Sequence, residues 1–261
     1  MKRFLKIAIW FIYLVGVGFL FGFVESKRDT VVVHPPDIYI EQAYGHLFVT
    51  KDNVLEELSN IGFDFNGETL REIDVNRMER VLNGVPGVKN AEVYKNHNGN
   101  LTIKIKQRNP IVRIFNSRGI SAYIDEEGKS MPTSEQYTAK VLVFNGYIED
   151  PLYNFDITTA EASDSLTKVY VLGDIYHLAK YIKQDSLFSA LIAQVYVNSK
   201  QEFELISRVS DHRILFGTIE DYTEKFKKLE AFYTKGVKPE ELNLYDTITL
   251  KYNKLIICSK R

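Results

Sequence analysis

The chain has 261 residues, of which 45% are hydrophobic and 26% are charged, a balance typical of folded globular proteins that excludes a disordered chain. Lys and Arg number 33 against 34 Asp and Glu, so the chain lacks the basic excess that phosphate neutralisation requires, and a nucleic-acid binder is not expected. Cys258 is the sole cysteine, which excludes an intramolecular disulfide and a cysteine-based metal site.

An uncharged apolar run occupies residues 7–24. As a helix it would be about 27 Å long, at about 1.5 Å per residue, which is nearly enough to span the apolar core of a bilayer. Lys2, Arg3 and Lys6 precede the run, whereas the charges directly after it cancel. The positive-inside rule then predicts a cytoplasmic tail over residues 1–6, a transmembrane helix over residues 7–24 and the remaining chain on the non-cytoplasmic side.

A cleaved signal peptide is the competing interpretation of this run, because a basic start and an apolar stretch are common to both. The run is longer than the usual apolar region of a signal peptide, about 7–15 residues, and no Ala-x-Ala sequence marks a cleavage site. A buried soluble helix would show one polar face, which the run lacks. The sequence therefore favours a membrane anchor.

The next part of the chain begins with a strand pattern that Pro35-Pro36 interrupts, an arrangement tolerated at a sheet edge. Two amphipathic helix patterns follow, each preceded by a residue that can cap its N-terminus, and then two strand patterns with alternating apolar residues. The predicted elements are a strand over Val31–Glu41, a helix after Thr50 ending at Gly62, a helix after Asp74 ending at Gly84, and strands over Ala91–Lys95 and Leu101–Gln107.

The stretch from Ile73 to Ile114 contains two local motifs. Pro86-Gly87-Val88 ends a helix and leads into the sheet, and Gln107-Arg108-Asn109-Pro110 forces extended backbone after the last strand. Together with the order of elements, these motifs resemble the POTRA domain of the bacterial cell-division family FtsQ/DivIB. The resemblance implies one POTRA domain of order βααββ over residues 28–108.

The second half of the chain, residues 109–261, is rich in strand patterns. It includes a hairpin turning at Glu127-Gly128 and an amphipathic helix with Tyr222 and Phe226 on its apolar face. The predicted elements are the hairpin Ala122–Pro132, strands over Val141–Phe144, Ile192–Val197, Phe203–Ser207, Arg213–Phe216 and Thr247–Ser259, and a helix over Asp164–Gln184. Their order resembles the β domain of the same family. Lys251 stands where many members have Arg, so a bidentate carboxylate contact is in doubt there.

The fold class predicted from these patterns and from the resemblance is α+β. An N-terminal transmembrane helix is followed by a POTRA domain and by a mostly antiparallel β domain with flanking helices. The resemblance implies a single-pass protein of the cell inner (plasma) membrane at the division septum. Its N-terminus would be cytoplasmic and its folded domains periplasmic.

The residue types that carry chemistry form no catalytic or metal-binding motif in this sequence. The five histidines are scattered without metal-ligand spacing, and His97 is predicted to be a solvated turn residue. Asp125, Glu126 and Glu127 could act as paired acids, but their position at a hairpin tip favours solvated turn residues. The sequence therefore predicts no enzymatic activity, no metal, no cofactor and no small-molecule substrate.

The resemblance also implies a binding mode. In that family a segment of the bitopic protein FtsB adds as a strand beside the terminal strand of the β domain, and the preceding helix frames the site. Carried over to this sequence, the implied partner-binding residues are Tyr252, Leu255, Ile256 and Ile257 on the strand, with Tyr222 and Phe226 on the helix. The alternative for each of these residues is that it packs the domain core.

The function that the resemblance implies is a non-enzymatic divisome scaffold. Such a scaffold links early and late division proteins and recruits FtsB- and FtsL-like partners for septal peptidoglycan synthesis. FtsK-like and other divisome proteins are implied as partners of the POTRA domain, without identified contact residues. The alternative classes are a POTRA-containing polypeptide-transport or outer-membrane assembly component, and an envelope enzyme, which the lack of a catalytic motif in the sequence disfavours.

Overall fold

The computed structural model of the chain describes residues 10–19, 35–41, 48–63, 65, 73–96, 100–134, 137–153, 156–157, 171–252 and 255–261. The chain divides into two compact units, one within residues 1–107 and the other within residues 108–261. Each unit contains its own sheet.

Residues 10–19 are helical, and the large apolar side chains of this segment, such as Trp10 and Phe19, are exposed. The predicted transmembrane helix over residues 7–24 extends past this described segment at both ends. No helix within the described residues combines the length and the apolar character needed to span a bilayer. The membrane anchor stays a prediction.

The first unit has the predicted order of strand, helix, helix, strand, strand. Its elements are β1 (Asp37–Glu41), α1 (Lys51–Asn60), α2 (Val75–Gly84), β2 (Val88–Lys95) and β3 (Leu101–Gln107). The sheet has the order β1-β3-β2, in which β3 runs parallel to β1 and antiparallel to β2. The predicted turn between β2 and β3 includes His97, which lies outside the described residues.

The strand predicted over Val31–Glu41 is shorter in its described part and begins at Asp37. Pro35 and Pro36 have no N–H group to donate to a sheet, so the regular pairing starts only after them. Residues 31–34 lie outside the described part of the chain.

Side-chain caps fix the start of both helices, as predicted. Thr50 and Asn53 form a capping box, in which each side-chain oxygen accepts a hydrogen bond at 3.2 Å from the backbone N–H of the other residue. Asp74 Oδ1 accepts a hydrogen bond from the Arg77 N–H at 3.0 Å. The helices place their apolar stripes in a core with one face of the sheet. The core residues include Val54, Leu58, Met78, Leu82, Leu101, Ile103 and Ile105.

The second unit is a nine-stranded mixed sheet with helices. Its elements are β4 (Pro110–Phe115), β5 (Ser121–Asp125), β6 (Ser130–Pro132), β7 (Leu142–Gly146), α3 (Val171–Gln184), α4 (Ser186–Leu191), β8 (Ile192–Val197), β9 (Phe203–Ser207), β10 (Arg213–Gly217), α5 (Tyr222–Ala231), β11 (Tyr245–Thr249) and β12 (Ile257–Lys260). A π-helical turn, Phe232–Gly236, and a 3-10 helix, Pro239–Leu244, connect α5 to β11. Of the predicted helix Asp164–Gln184, the described part from Val171 onward is helical.

The strand order is β12-β11-β10-β9-β8-β7-β4-β5-β6. The parallel pairs are β4 with β7, β7 with β8 and β10 with β11. The other five neighbouring pairs are antiparallel, in agreement with the predicted mostly antiparallel domain.

One row of apolar side chains crosses this sheet from β5 to β11. The strand registers align Ala122, Ile114, Phe144, Val195, Leu205, Ile214 and Ile248, and all of them are buried. Ile175 of α3 and Leu229 of α5 belong to the same buried cluster. Packing in this shared core therefore holds α3 and α5 against one face of the sheet. It also fixes the position of β11 near the end of the sheet.

The prediction of one continuous strand over Thr247–Ser259 is wrong, because β11 and β12 form an antiparallel hairpin. Leu250, directly after β11, is fully buried, and its N–H donates to the Leu215 carbonyl at 3.0 Å. Lys228 Nζ then donates to the carbonyl oxygens of Leu250 and Tyr252, at 3.1 and 2.8 Å. These carbonyl groups bond to a side chain and not to a neighbouring strand, so the chain leaves the sheet here and returns as β12.

Candidate docking edge

β12 is the outermost strand of the nine-stranded sheet. Within the described residues it pairs with β11 alone, through the register Tyr245–Lys260, Thr247–Ser259, Ile248–Cys258 and Thr249–Ile257. Backbone N–H and C=O groups on an outer strand that point away from its neighbour have no partner in the sheet. Such an edge can accept an added strand from another polypeptide.

The side chains along this edge divide between the core and the solvent. Ile256 and Cys258 are half-buried and pack against the core of the second unit. Leu255 and Ile257 are 60% and 49% exposed, and Tyr252, in the loop between β11 and β12, is 54% exposed. Three of the four strand residues that the resemblance implied are therefore accessible to a partner, whereas Ile256 has a packing role. We call the outer backbone of β12 with Tyr252, Leu255 and Ile257 the docking edge.

Contacts on the inner side of the hairpin hold the docking edge in place. The Lys228 ammonium joins α5 to the loop after β11 through the two carbonyl bonds described above. The hydroxyls of Thr247 and Ser259 lie 2.6 Å apart across the β11–β12 pair. At the far end, the Arg261 N–H donates to the Leu244 carbonyl at 3.0 Å. Among the described residues, the strand is therefore fixed along its paired side and open along the other.

Lys251 makes a carboxylate contact, although of a simpler kind than an arginine could make. Its Nζ lies 2.6 Å from Glu202 Oε2. The hydrogen bond from Lys251 lowers the pKa of the Glu202 carboxyl, with a further contribution from Asn198. A lysine ammonium cannot make the two parallel bonds of a guanidinium, so the single contact agrees with the expectation from the sequence.

Phe226 lies in the core and is not available for direct contact with a partner. It is fully buried, with its ring centroid 4.7 Å from Tyr181, 4.5 Å from Phe188 and 5.0 Å from Phe216. Tyr222, one helical turn earlier, is half-buried and meets Tyr181 edge-on at 5.3 Å. Phe226 is therefore a core residue, which is the alternative that the sequence left open. The role of this helix is to hold the docking edge in position through the core.

Lys225 was not identified from the sequence as a supporting residue. Its side chain lies at the end of β10. The Lys225 Nζ donates to the Thr218 carbonyl at 2.8 Å and lies 5.1 Å from the centroid of the Phe216 ring. Burial lowers the pKa of the Lys225 ammonium. Its position next to Phe226 in the apolar stripe of the helix was the signal available in the sequence.

A buried histidine and a half-buried tyrosine form a polar pair near the base of the β11–β12 hairpin, and this pair was also missed. His212 Nε2 forms a short hydrogen bond with the Tyr233 hydroxyl. Burial lowers the pKa of the His212 imidazole and raises the pKa of Tyr233 to about 12. Both groups are therefore neutral near pH 7, when the tyrosine hydroxyl can donate to the imidazole.

Asp125 is buried, which corrects the prediction that it is a solvated turn residue. Its Oδ2 lies 2.7 Å from Arg108 Nη1, and its Oδ1 accepts hydrogen bonds at 2.9 Å from the N–H groups of Glu127 and Lys129. Glu126 and Glu127 are exposed, as predicted. The carboxylate of Asp125 therefore fixes the turn between β5 and β6, and both of its oxygens already have hydrogen-bond partners.

The described part of the chain offers binding surfaces, without a catalytic group that the geometry activates. No cluster of three or more His, Cys, Asp or Glu side chains in that part is placed to hold a metal ion. Burial raises the pKa of the Cys258 thiol, so this residue remains protonated near neutral pH and is a poor nucleophile.

The fold and the docking edge define an α+β protein in which a βααββ unit precedes a mixed sheet with an open terminal strand. Residues 109–259 match the family model described as FtsQ/DivIB, C-terminal related, and residues 34–106 match that of a POTRA-like domain. The first match alone covers more than half of the 261 residues. The chain belongs to the FtsQ/DivIB family, and its domains indicate a cell-division scaffold. No curated protein matches the chain.

Proposed function

We propose that this protein is a non-enzymatic divisome scaffold that recruits FtsB- and FtsL-like proteins for septal peptidoglycan synthesis. The observation that carries the proposal is the position of β12 at the outer edge of the sheet, with Leu255 and Ile257 exposed beside it. In this role the protein links division proteins that act early to those that act late.

Strand addition explains how such an edge binds. The partner segment forms backbone hydrogen bonds with the open side of β12, which supply affinity for any extended chain. Its side chains then contact Leu255, Ile257 and Tyr252, and apolar contacts of this kind supply specificity. The partner is therefore expected to present an extended segment with apolar residues at alternating positions.

We place the protein in the cell membrane through residues 7–24, with residues 1–6 in the cytoplasm and the POTRA and β domains outside. The basic residues before the run and its uncharged character support this placement. Mass spectrometry of the protein from cells is expected to find the chain still carrying its first residue. A new N-terminus near Ser26 would instead show cleavage of a signal peptide.

The substitution Ile257→Glu tests the docking edge. The side chain is 49% exposed, so a carboxylate there stays solvated in the free protein and the midpoint of thermal unfolding is expected to change little. In the complex the carboxylate would be buried against an apolar strand, at a cost of several kcal/mol. Co-purification of the full chain with the FtsB- and FtsL-like proteins of the same genome is therefore expected to fall by at least about 10-fold.

Tyr147→Glu is the matched control, because Tyr147 is 50% exposed and directly follows β7, five strands from β12. This variant is expected to retain the partners at the level of the unsubstituted protein. If Ile257→Glu folds and retains them as well, the docking edge is not their binding site. If Ile257→Glu unfolds at a much lower temperature, Ile257 is a core residue and the edge proposal is contradicted.

A further inference from the structure

The three-stranded sheet of the first unit has two outer strands, β1 and β2, on either side of β3. The exposed face of this sheet carries alternate residues of each strand, including Tyr39 on β1 and Tyr94 on β2. Either outer strand could in principle accept an added strand, because the sheet leaves backbone groups unpaired along both. The surroundings of the two strands are different.

The outer side of β2 is closed by side chains of α2. Asn83 Oδ1 accepts a hydrogen bond from the Ala91 N–H at 3.0 Å, and Asn83 Nδ2 donates to the Ala91 carbonyl at 3.3 Å. Two residues further on, Glu79 Oε1 accepts a hydrogen bond from the Val93 N–H at 2.8 Å. These side chains make the bonds that a neighbouring strand would make. An added strand could pair with β2 only by displacing them.

The outer side of β1 carries no such closure from the residues that the structure describes. Within the described residues, β1 pairs with β3 alone, and no side chain of that part of the chain bonds to the backbone of residues 37–41. Ile38 faces the core, whereas Tyr39 is 60% exposed. An apolar residue of a strand placed next to β1 could therefore contact the Tyr39 ring.

The charges of β1 indicate the kind of segment that fits. Asp37 and Glu41 are exposed on the same face as Tyr39, two residues to either side of it, and β1 carries no cation. Glu41 lies 3.7 Å from Lys106, but both side chains of this pair are exposed, so a cation from another chain can replace the lysine at little cost.

A second copy of the chain is a poor occupant of this edge. Antiparallel pairing of two β1 strands centred on Tyr39 would place Asp37 opposite Glu41 of the other copy. Like charges directly opposite each other destabilise a strand pair. A strand with Lys or Arg two positions to either side of an apolar residue would instead pair an opposite charge with each carboxylate.

The geometry points to β1 as a second strand-addition edge, which accepts an extended basic and apolar segment of another polypeptide. This edge lies in the first unit and does not depend on the docking edge at β12. Binding at β1 can therefore fail or succeed whatever the outcome of the Ile257→Glu experiment.

The test uses two synthetic heptapeptides, Thr-Lys-Thr-Val-Thr-Lys-Thr and its counterpart with Glu in place of Lys, added to the isotope-labelled full chain. The basic peptide is expected to bind with a dissociation constant of about 1 mM. It should shift the backbone amide resonances of residues 37–41 and leave those of residues 88–95 nearly unchanged. The acidic peptide is expected to produce no shift at either strand.

The double variant Asp37→Lys, Glu41→Lys is expected to weaken binding of the basic peptide by about 10-fold, because both opposite-charge pairs become repulsive. Glu92→Lys is the matched control, a charge reversal on the same exposed face of the sheet but on the closed strand. It should change the affinity by less than about 2-fold, as expected for a charge outside the strand pair. Should the double variant fail to fold, Tyr39→Ala replaces it, with an expected loss of up to about 5-fold.

Three results would overturn the inference. The first is absence of any shift with the basic peptide, and the second is a shift centred on β2. The third is an equal loss of binding in Glu92→Lys, which would show general attraction to the sheet face and not pairing at β1.

Discussion

Phe226→Ala is expected to lower the free energy of unfolding of the second unit by about 3–5 kcal/mol. The ring is fully buried between Tyr181, Phe188 and Phe216, at centroid distances of 4.5 to 5.0 Å. Truncation removes these contacts and leaves a cavity that the neighbouring rings cannot fill without leaving their rotamers. Urea unfolding of the full chain, followed by circular dichroism, measures the loss.

Two further variants separate packing from partner contact. Phe226→Leu keeps most of the apolar volume and is expected to lose less than about 1.5 kcal/mol while it binds FtsB- and FtsL-like partners normally. Tyr222→Ala, on a half-buried residue of the same helix, should fall between the two Phe226 variants. A folded Phe226→Leu protein that has lost its partners would restore the contact role that the family resemblance implied.

Asp125→Ala is expected to destabilise the second unit by about 3–5 kcal/mol, because it leaves the mostly buried Arg108 guanidinium with the more exposed Glu127 carboxylate, 4.0 Å away, in place of the buried Asp125 at 2.7 Å. The same change removes the acceptor for two backbone N–H groups, those of Glu127 and Lys129, in the turn between β5 and β6. The loss of both interactions should lower the urea midpoint of the full chain.

Asp125→Asn is the control that separates the contribution of the ion pair from that of the two turn hydrogen bonds. Its side-chain oxygen can still accept from the two turn amides, but it carries no charge to pair with Arg108, so an intermediate loss is expected. The double variant Arg108→Met, Asp125→Leu should recover the part of the stability that was lost with the ion pair, since no charge then remains buried, but not the part lost with the acceptor of the two turn N–H groups. A loss below about 1 kcal/mol for Asp125→Ala would show that the ion pair is solvated after all.

Local signals were sufficient for most of the secondary structure. The caps at Thr50 and Asp74 and the alternation of Leu101, Ile103 and Ile105 identified elements that the structure confirms. Each of these signals acts over a few residues, through a side chain that bonds to its own backbone or through the period of the apolar residues. The order of the first unit followed directly.

Errors arose where a distant residue decides the outcome. In the sequence, Asp125 is one of three acidic residues at a hairpin tip. In the structure it is buried because it pairs with Arg108, which lies 17 residues earlier, between β3 and β4. Thr247–Ser259 had the strand propensity of one long element, whereas Lys228 of α5 holds the loop carbonyls away from the sheet. Long-range contacts of this kind leave no periodic trace in the local sequence.

The docking edge itself was predictable in position and only partly in its residues. Strand alternation alone could not assign which of Leu255, Ile256 and Ile257 face outward, since a shift by one residue exchanges the two faces. In the structure both Leu255 and Ile257 are exposed, and the register of β12 against β11 places Ile257 opposite Thr249. The apolar stripe of α5 predicted a buried helix face correctly but did not indicate that Phe226 is enclosed on every side.

The parallel pairing of β10 with β11 has a consequence for when the protein can bind. Neighbouring parallel strands need a crossover connection, and here the crossover consists of α5 and the two short helical segments after it. Among the described residues β12 pairs with β11 alone, so its place at the outer edge depends on this crossover. The strand addition proposed at β12 therefore requires the crossover to be folded.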